Sequence, residues 1–288
     1  MERFIVGIDG SESSAEALRW ARREAEVRDA TVTAVLAWNF LDQYHVDGEA
    51  TFDPDYGDED ARRALDAAVE RAVGADADDV SRVVVCEHPA TALIDASSDA
   101  DLLVVGARGL GKLRGLVLGS VSQRCLELAA CPVMVVHGTP DAGSEHDRVV
   151  VGVDGSESSA HALGWAVEEA RLRGAQLEVV HAWEVPYAAE FTFVGDAYDA
   201  TQRSAVDLVD QMLVSAGLEP DDVERTVVQS SPVLALTDAA ARADVVVVGS
   251  RGRGGFTGLL LGSVSHQVTR HADSPVVVVP DPQADAEG

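Results

Sequence analysis

The sequence predicts an α/β protein of two tandem domains, each an open, twisted, five-stranded parallel sheet with helices on both faces. Three observations lead there. First, the 288-residue chain repeats itself: Val6-Gly7-Ile8-Asp9-Gly10-Ser11-Glu12-Ser13-Ser14 returns as Val151-Gly152-Val153-Asp154-Gly155-Ser156-Glu157-Ser158-Ser159 at an offset of 145. Trp20 and Trp38 meet Trp165 and Trp183 at the same offset, and Gly106 meets Gly249 at 143. A period of that length is a duplicated domain rather than a solenoid repeat. Second, short β-branched runs alternate with amphipathic stretches in each copy. Third, runs such as Leu102 to Val105 and Val245 to Val248 are apolar throughout, the pattern of strands buried on both faces of a parallel sheet.

The elements follow in order along the first copy. A strand at Phe4 to Ile8 leads into a helix with Ser13 and Glu16 spaced as a capping box, and Leu18, Ala21 and Ala25 share one helical face. Leu163, Ala166 and Ala170 repeat that spacing in the second copy. Further strands are expected at Thr31 to Ala37, Ser81 to Val85, Leu102 to Val105 and Val133 to Val136, with helices near Glu59 to Val73, Ala90 to Ser97 and Gly119 to Leu128. The segment from His137 to Asp147, rich in Gly, Pro, Ser and acid, marks the junction. We expect domains at 1–138 and 148–281, a linker at 139–147 and a tail at 282–288. The acidic stretch from Leu41 to Asp60, with Tyr44, Phe52 and Tyr56, and its counterpart from Glu184 to Asp199 are long for strand-to-helix connections. Each reads either as a solvated loop or as a lid or partner surface.

Past the fourth strand, the first copy reads Gly106-Ala107-Arg108-Gly109, nine residues, then Gly119-Ser120-Val121-Ser122. The second reads Gly249-Ser250-Arg251-Gly252, nine residues, then Gly262-Ser263-Val264-Ser265. A glycine turn lets backbone N–H groups approach a ligand closely, and the start of the following helix adds unpaired donors and partial positive charge. The combination suits a polyphosphate; turn and cap chemistry alone is the plainer alternative, and the serines suit either role. The formal charge of −27 at pH 7 makes the cations near these loops informative, because a nucleotide needs a local reversal of sign. Copy one carries Lys112, the chain's only lysine, and Arg114; copy two has Gly255 and Thr257 there but adds Arg253. Unequal affinities are therefore expected. Arg108 and Arg251 are either phosphate ligands or solvated loop residues, and Asp9 and Asp154 either ligand groups or helix caps.

The Gly-x2-Gly-x9-Gly-Ser pattern after a Val-rich strand, with Val-Gly-Ile-Asp-Gly-Ser at the first strand of copy one, resembles the ATP-binding class of universal stress proteins, in its tandem, actinobacterial form. The resemblance spans both halves. It implies the adenine nucleotide alpha hydrolase-like fold, one ATP per domain and a nucleotide-dependent regulatory role in the stress response. In copy one it places Gly7 and Asp9 at the end of the first strand, with Asp9 beside ribose and phosphates, and sets the backbone of Ala37 against adenine. Phosphates would lie on the loop of Gly106, Ala107, Arg108, Gly109, Leu110, Gly111 and Lys112 and on the corner of Gly119, Ser120, Val121 and Ser122. In copy two the same roles fall to Gly152, Asp154 and Ala182, to Gly249, Ser250, Arg251, Gly252, Arg253, Gly254 and Gly255, and to Gly262, Ser263, Val264 and Ser265. Asp9 and Asp154 are also the residues that would hold Mg2+ with the nucleotide. The resemblance further implies that the fifth strands of the two domains, Pro132 to Val136 and Pro275 to Val279, pair with each other; a homodimer would use another surface, and the protein partner is unspecified.

Other classes are disfavoured. Neither loop contains Gly-x4-Gly-Lys-Ser/Thr or Gly-x-Gly-x-x-Gly, and there is no Gly-x-Ser-x-Gly elbow. No residue is nominated to activate water, so ATP reads as a bound signal; a slow ATPase and a nucleotide-free interaction module are the alternatives. The negative charge argues against nucleic acid and anionic membranes. Cys86, Cys125 and Cys131 form no Cys-x-x-Cys pair, and His266 and His271 lie five apart, a poor helical metal spacing. The first residues lack the pattern of a signal peptide and no apolar run reaches bilayer length, so a cytoplasmic location is expected.

Overall fold

A computed structural model describes residues 1–39, 43, 53–109, 118–138, 146–184, 196–253 and 260–281, and divides the chain into two units, Met1–Ala142 and Gly143–Gly288. In the first unit the strands are β1 (Arg3–Gly7), β2 (Thr31–Trp38), β3 (Val80–Cys86), β4 (Leu102–Gly106) and β5 (Val133–Val136). All pair in parallel, in the order β3-β2-β1-β4-β5. The helices are α1 (Glu12–Arg28), α2 (Asp58–Val73), α3 (Pro89–Ser97) and α4 (Ser120–Leu128). Helices α1 and α2 pack together on one face, and α3 packs with α4 on the other. The predicted strands and helices agree with these to within a residue or two at their ends.

The second unit repeats the plan with β6 (Arg148–Gly152), β7 (Gln176–Trp183), β8 (Glu224–Gln229), β9 (Val245–Gly249) and β10 (Val276–Val279). Its parallel order is β8-β7-β6-β9-β10. The helices are α5 (Glu157–Arg173), α6 (Asp196–Ser215), α7 (Pro232–Ala240) and α8 (Ser263–His271). Every residue of β4 and β9 is buried, which is why these strands tolerate no polar side chain. Leu18, Ala21 and Ala25 of α1, and Leu163, Ala166 and Ala170 of α5, are buried against the sheets as their spacing requires.

Two local expectations change. The cap of α1 is Ser11, whose side chain accepts from Ser14 N at 3.2 Å, and not Ser13. Ser13 lies inside the helix and its hydroxyl is used on the loop after β4, as described below. The acidic stretches are shorter as connections than expected, since α2 begins at Asp58 and α6 at Asp196. Tyr56 is buried edge-on against Trp38 at a centroid distance of 5.2 Å, and Trp38 Nε1 donates to Asp58 Oδ1 at 2.9 Å. Trp183 and Tyr198 form the same edge contact at 5.1 Å. Tyr44 and Phe52 lie outside the described residues.

Among the described residues no helix is long and apolar enough to cross a membrane. The three cysteines are free thiols. Burial, reinforced by neighbouring Cys131, pushes Cys125 up to about 12, and burial likewise pushes Cys131 up to about 12, so both stay protonated and unreactive.

Candidate functional site

In each unit the first strand lies between the second and the fourth, so the connections leave in opposite directions at β1/β4 and at β6/β9. Such a switch point opens a crevice at the carboxyl ends of the strands. Asp9 and Asp154 follow β1 and β6 there, and the glycine turns leave β4 and β9 beside them.

Asp154 organises the crevice of the second unit. Its Oδ1 accepts from Ser156 N at 2.9 Å and Ser156 Oγ at 2.6 Å, and its Oδ2 accepts from Arg253 N at 2.8 Å. Asp154 is therefore a clasp between the start of α5 and the glycine turn. The N-cap itself is Ser156, so the capping alternative for the aspartate does not hold. Asp9 is built alike, with Oδ1 accepting from Ser11 N at 3.0 Å and Ser11 Oγ at 2.6 Å. Burial works to raise the Asp154 pKa, but hydrogen bonds from Ser156, Arg253 and Ser159 outweigh it and hold the carboxyl below its ordinary 3.8.

This shift has a sign that can be checked. A carboxyl depressed in the folded state stabilises above its unfolded pKa, and that contribution is lost as pH falls through the folded value. Asp154→Asn is expected to lower stability at neutral pH, with the deficit closing as pH falls below the ordinary carboxylate value and through the depressed folded one. Urea unfolding of both proteins across that range measures it, and a deficit independent of pH contradicts the clasp.

The glycines are explained by what surrounds them. A Cβ on Gly252 would lie 2.5 Å from Asp154 Oδ2, and one on Gly109 equally close to Asp9 Oδ2. Gly152 and Gly7 admit the helices crossing beneath them, since a Cβ would meet Leu236 Cδ1 at 2.9 Å and Leu93 Cδ1 at 2.8 Å. Below each turn a serine hydroxyl ties the layers: Ser158 Oγ accepts from Arg251 N, and Ser13 Oγ from Arg108 N, both at 3.3 Å. The far corner is held by Gly262 N donating to Ser250 O at 2.7 Å and Gly119 N to Ala107 O at 2.8 Å. Ser265 and Ser122 donate to the carbonyls of Gly249 and Gly106 at 2.6 and 2.7 Å. They do not cap their helices; Gly262 and Gly119 occupy the N-caps, and no side chain caps either helix. The first-turn N–H groups there have no intrahelical acceptors.

In the second unit these parts enclose a cavity of about 410 Å³. Gly152, Asp154, Ala182 and Gly249 line it, as do Arg251, Gly252 and Arg253 of the turn and Gly262 to Ser265 of the corner. Ser250 is buried below the turn and is not among the lining residues. Sequence reasoning missed the aliphatic part of the lining, Val153, Val180, Val248, Pro232 and Leu236, and also Ser159. The signal for some of it was Ser231-Pro232, where the Ser231 hydroxyl accepts from Leu234 N and a proline opens α7 at the crevice. In the first unit Asp9 is bonded to Ser11, Arg108 N to Ser13, Gly119 N to Ala107 O and Ser122 to Gly106 O, and Ala37 is buried one residue before the end of β2. Leu110, Gly111, Lys112 and Arg114, and Gly254, Gly255 and Thr257, lie outside the described residues.

The sequence profile of the Universal stress protein family matches residues 1–137 and again 145–280. The chain belongs to the universal stress protein family. Like it, two mycobacterial universal stress proteins match nearly end to end. One from Mycolicibacterium smegmatis is 36% identical over 96% of this chain and 96% of its own. Another from Mycobacterium tuberculosis is 36% identical over 96% of this chain and 95% of its own. Among solved structures, a universal stress protein from Archaeoglobus fulgidus superimposes with a TM-score of 0.69 at 23% identity, covering 96% of this chain and 98% of the other, and shares the fold. As a tandem universal stress protein, the chain has one glycine turn, one aspartate bonded to the start of the first helix and one helix-start corner in each unit.

Proposed function

We propose that this universal stress protein binds one ATP in each unit and acts as a nucleotide-dependent regulator rather than a committed catalyst. The observation that carries this reading is the mixed lining of the second unit's cavity. Its aliphatic members, Val153, Val180, Pro232 and Leu236, suit a base. Its polar members, a glycine turn, the open start of α8 and the guanidinium-bearing Arg251 and Arg253, suit phosphates. A volume of about 410 Å³ lies within the range of nucleotide-sized pockets.

The donor set also fits a magnesium ion bound with the nucleotide. Among the described residues no group of three or more His, Cys, Asp or Glu converges on one point. Mg2+ commonly needs only one or two carboxylates plus substrate phosphates, so Asp154, and Asp9 in the first unit, would hold it. The ion would offset phosphate charge. The remaining roles belong to the chain: the turn and corner orient the phosphates, and the aliphatic lining excludes water from the base.

Asp154 is a poor proton acceptor for activating water, because its pKa is held low by three neighbours. Binding without rapid turnover is the expected behaviour. Calorimetric titration of ATP with Mg2+ into the full chain, alongside a phosphate-release assay, tests it. Two binding events with negligible release agree with the reading; rapid release of phosphate replaces the regulator with an enzyme, and no heat at all removes the nucleotide.

A further inference from the structure

The second unit's turn carries a counterion for which the first copy has no equivalent. Arg251 Nη2 donates to Asp281 Oδ2 at 3.2 Å, and the two side chains are 35% and 18% exposed. The contact follows from the sheet. Strand β10 runs parallel to β9, and Ser250 N donates to Val279 O at 2.8 Å, so the residues just after β10 lie beside the turn that leaves β9. At the offset of 143 that aligns Gly249 with Gly106, Arg251 falls on Arg108 but Asp281 falls on Gly138. The arginine is duplicated and the carboxylate is not.

Around the second crevice, the carboxylates of Asp154 and Asp281 cancel the formal charge of Arg251 and Arg253. Building on the nucleotide reading above, we propose that Asp281 is the residue that sets how the second unit discriminates ligands by their number of phosphates. A carboxylate bonded to Arg251 competes with phosphate oxygens for the same N–H donor. It also repels each further negative charge brought into a partly desolvated crevice. Both effects grow from adenosine to AMP to ATP. Neither acts through the uncharged lining residues Val180, Pro232 and Leu236. The first copy has Gly138 at this position, so its sequence lacks the competing carboxylate there.

The test is calorimetry on the full chain with adenosine, AMP and ATP, comparing the natural protein with Asp281→Asn and with Asp281→Gly, which reproduces the residue of the first copy. ATP affinity at one of the two sites should rise by about 3-fold to 10-fold, AMP affinity by less and adenosine affinity not at all. Asp273→Asn, which removes one exposed carboxylate elsewhere in the same unit, should leave all three within about 2-fold. The gain should vanish in the double variant Arg251→Ala with Asp281→Asn, because the competing pair is gone. Equal gains for adenosine and ATP, the same gain from Asp273→Asn, or no gain in either Asp281 variant overturns the proposal while the nucleotide reading stands. Failure of the natural protein to bind any of the three overturns both.

Discussion

Gly249→Ala is expected to destabilise the second unit by about 3 kcal/mol, the upper part of the range for forcing volume into a packed layer. The added Cβ would stand 2.7 Å from both the carbonyl carbon and the carbonyl oxygen of Ser158. That obstacle is backbone within α5, so no side chain can swing aside, and the helix must lift from β9. Gly106 stands in the same relation to Ser13, and Gly106→Ala should harm the first unit equally. For a domain of this size the loss corresponds to a fall of roughly 6–12 °C in Tm. Scanning calorimetry of each variant measures it. A transition within about 2 °C of the natural protein would show that the helix and strand are not in close contact at this glycine.

Gly252→Ala and Gly109→Ala should behave differently, reducing ATP binding by about 10-fold or more while lowering Tm by less than Gly249→Ala does. Here the added carbon meets a carboxylate oxygen, of Asp154 or Asp9, and no backbone of another element. The turn is exposed and free to shift, but its shift breaks the clasp: Asp154 Oδ2 would lose the N–H of Arg253 or be pressed away from it. The glycine is thus required by the aspartate beside it as well as by close approach of a phosphate. Each single variant should remove one of two calorimetric binding events. Unchanged ATP binding in both variants would remove the glycine turns from the site.

The fold was legible because its signals are local and were printed twice. Runs such as Val245 to Val248 could only be strands buried on both faces, and the 145-residue offset checked each element against its copy. The glycine turns and helix-start corners were legible for the same reason, since glycine spacing records where backbone must come close. The aliphatic part of the cavity lining was not. Pro232 and Leu236 belong to a different helix from the turn, and only the crossing of α7 beneath Gly152 brings them to the crevice. The cap of α1 differs from the expected one because Ser11, Ser13 and Ser14 all suit an N-cap by type, and the choice depends on Arg108 N, on the turn after β4, claiming the Ser13 hydroxyl. Glu178 shows the same limit. It sits fully buried in a Val-rich strand, offset by Arg148 at 2.9 Å, Arg242 at 2.7 Å and Thr226 at 2.8 Å, three partners from three other elements.

The central claim is that the crevice of each unit is an adenine nucleotide site. Its most direct test is to purify the full chain without added nucleotide, denature it, and identify and quantify the released small molecules by mass spectrometry, then repeat after incubation with ATP and Mg2+ and removal of excess. Release of ATP approaching two per chain after incubation, falling towards one in Gly252→Ala, is the predicted result. A chain that releases no adenine nucleotide under either condition, or that retains the full amount when both Gly109 and Gly252 are replaced by alanine, would contradict it.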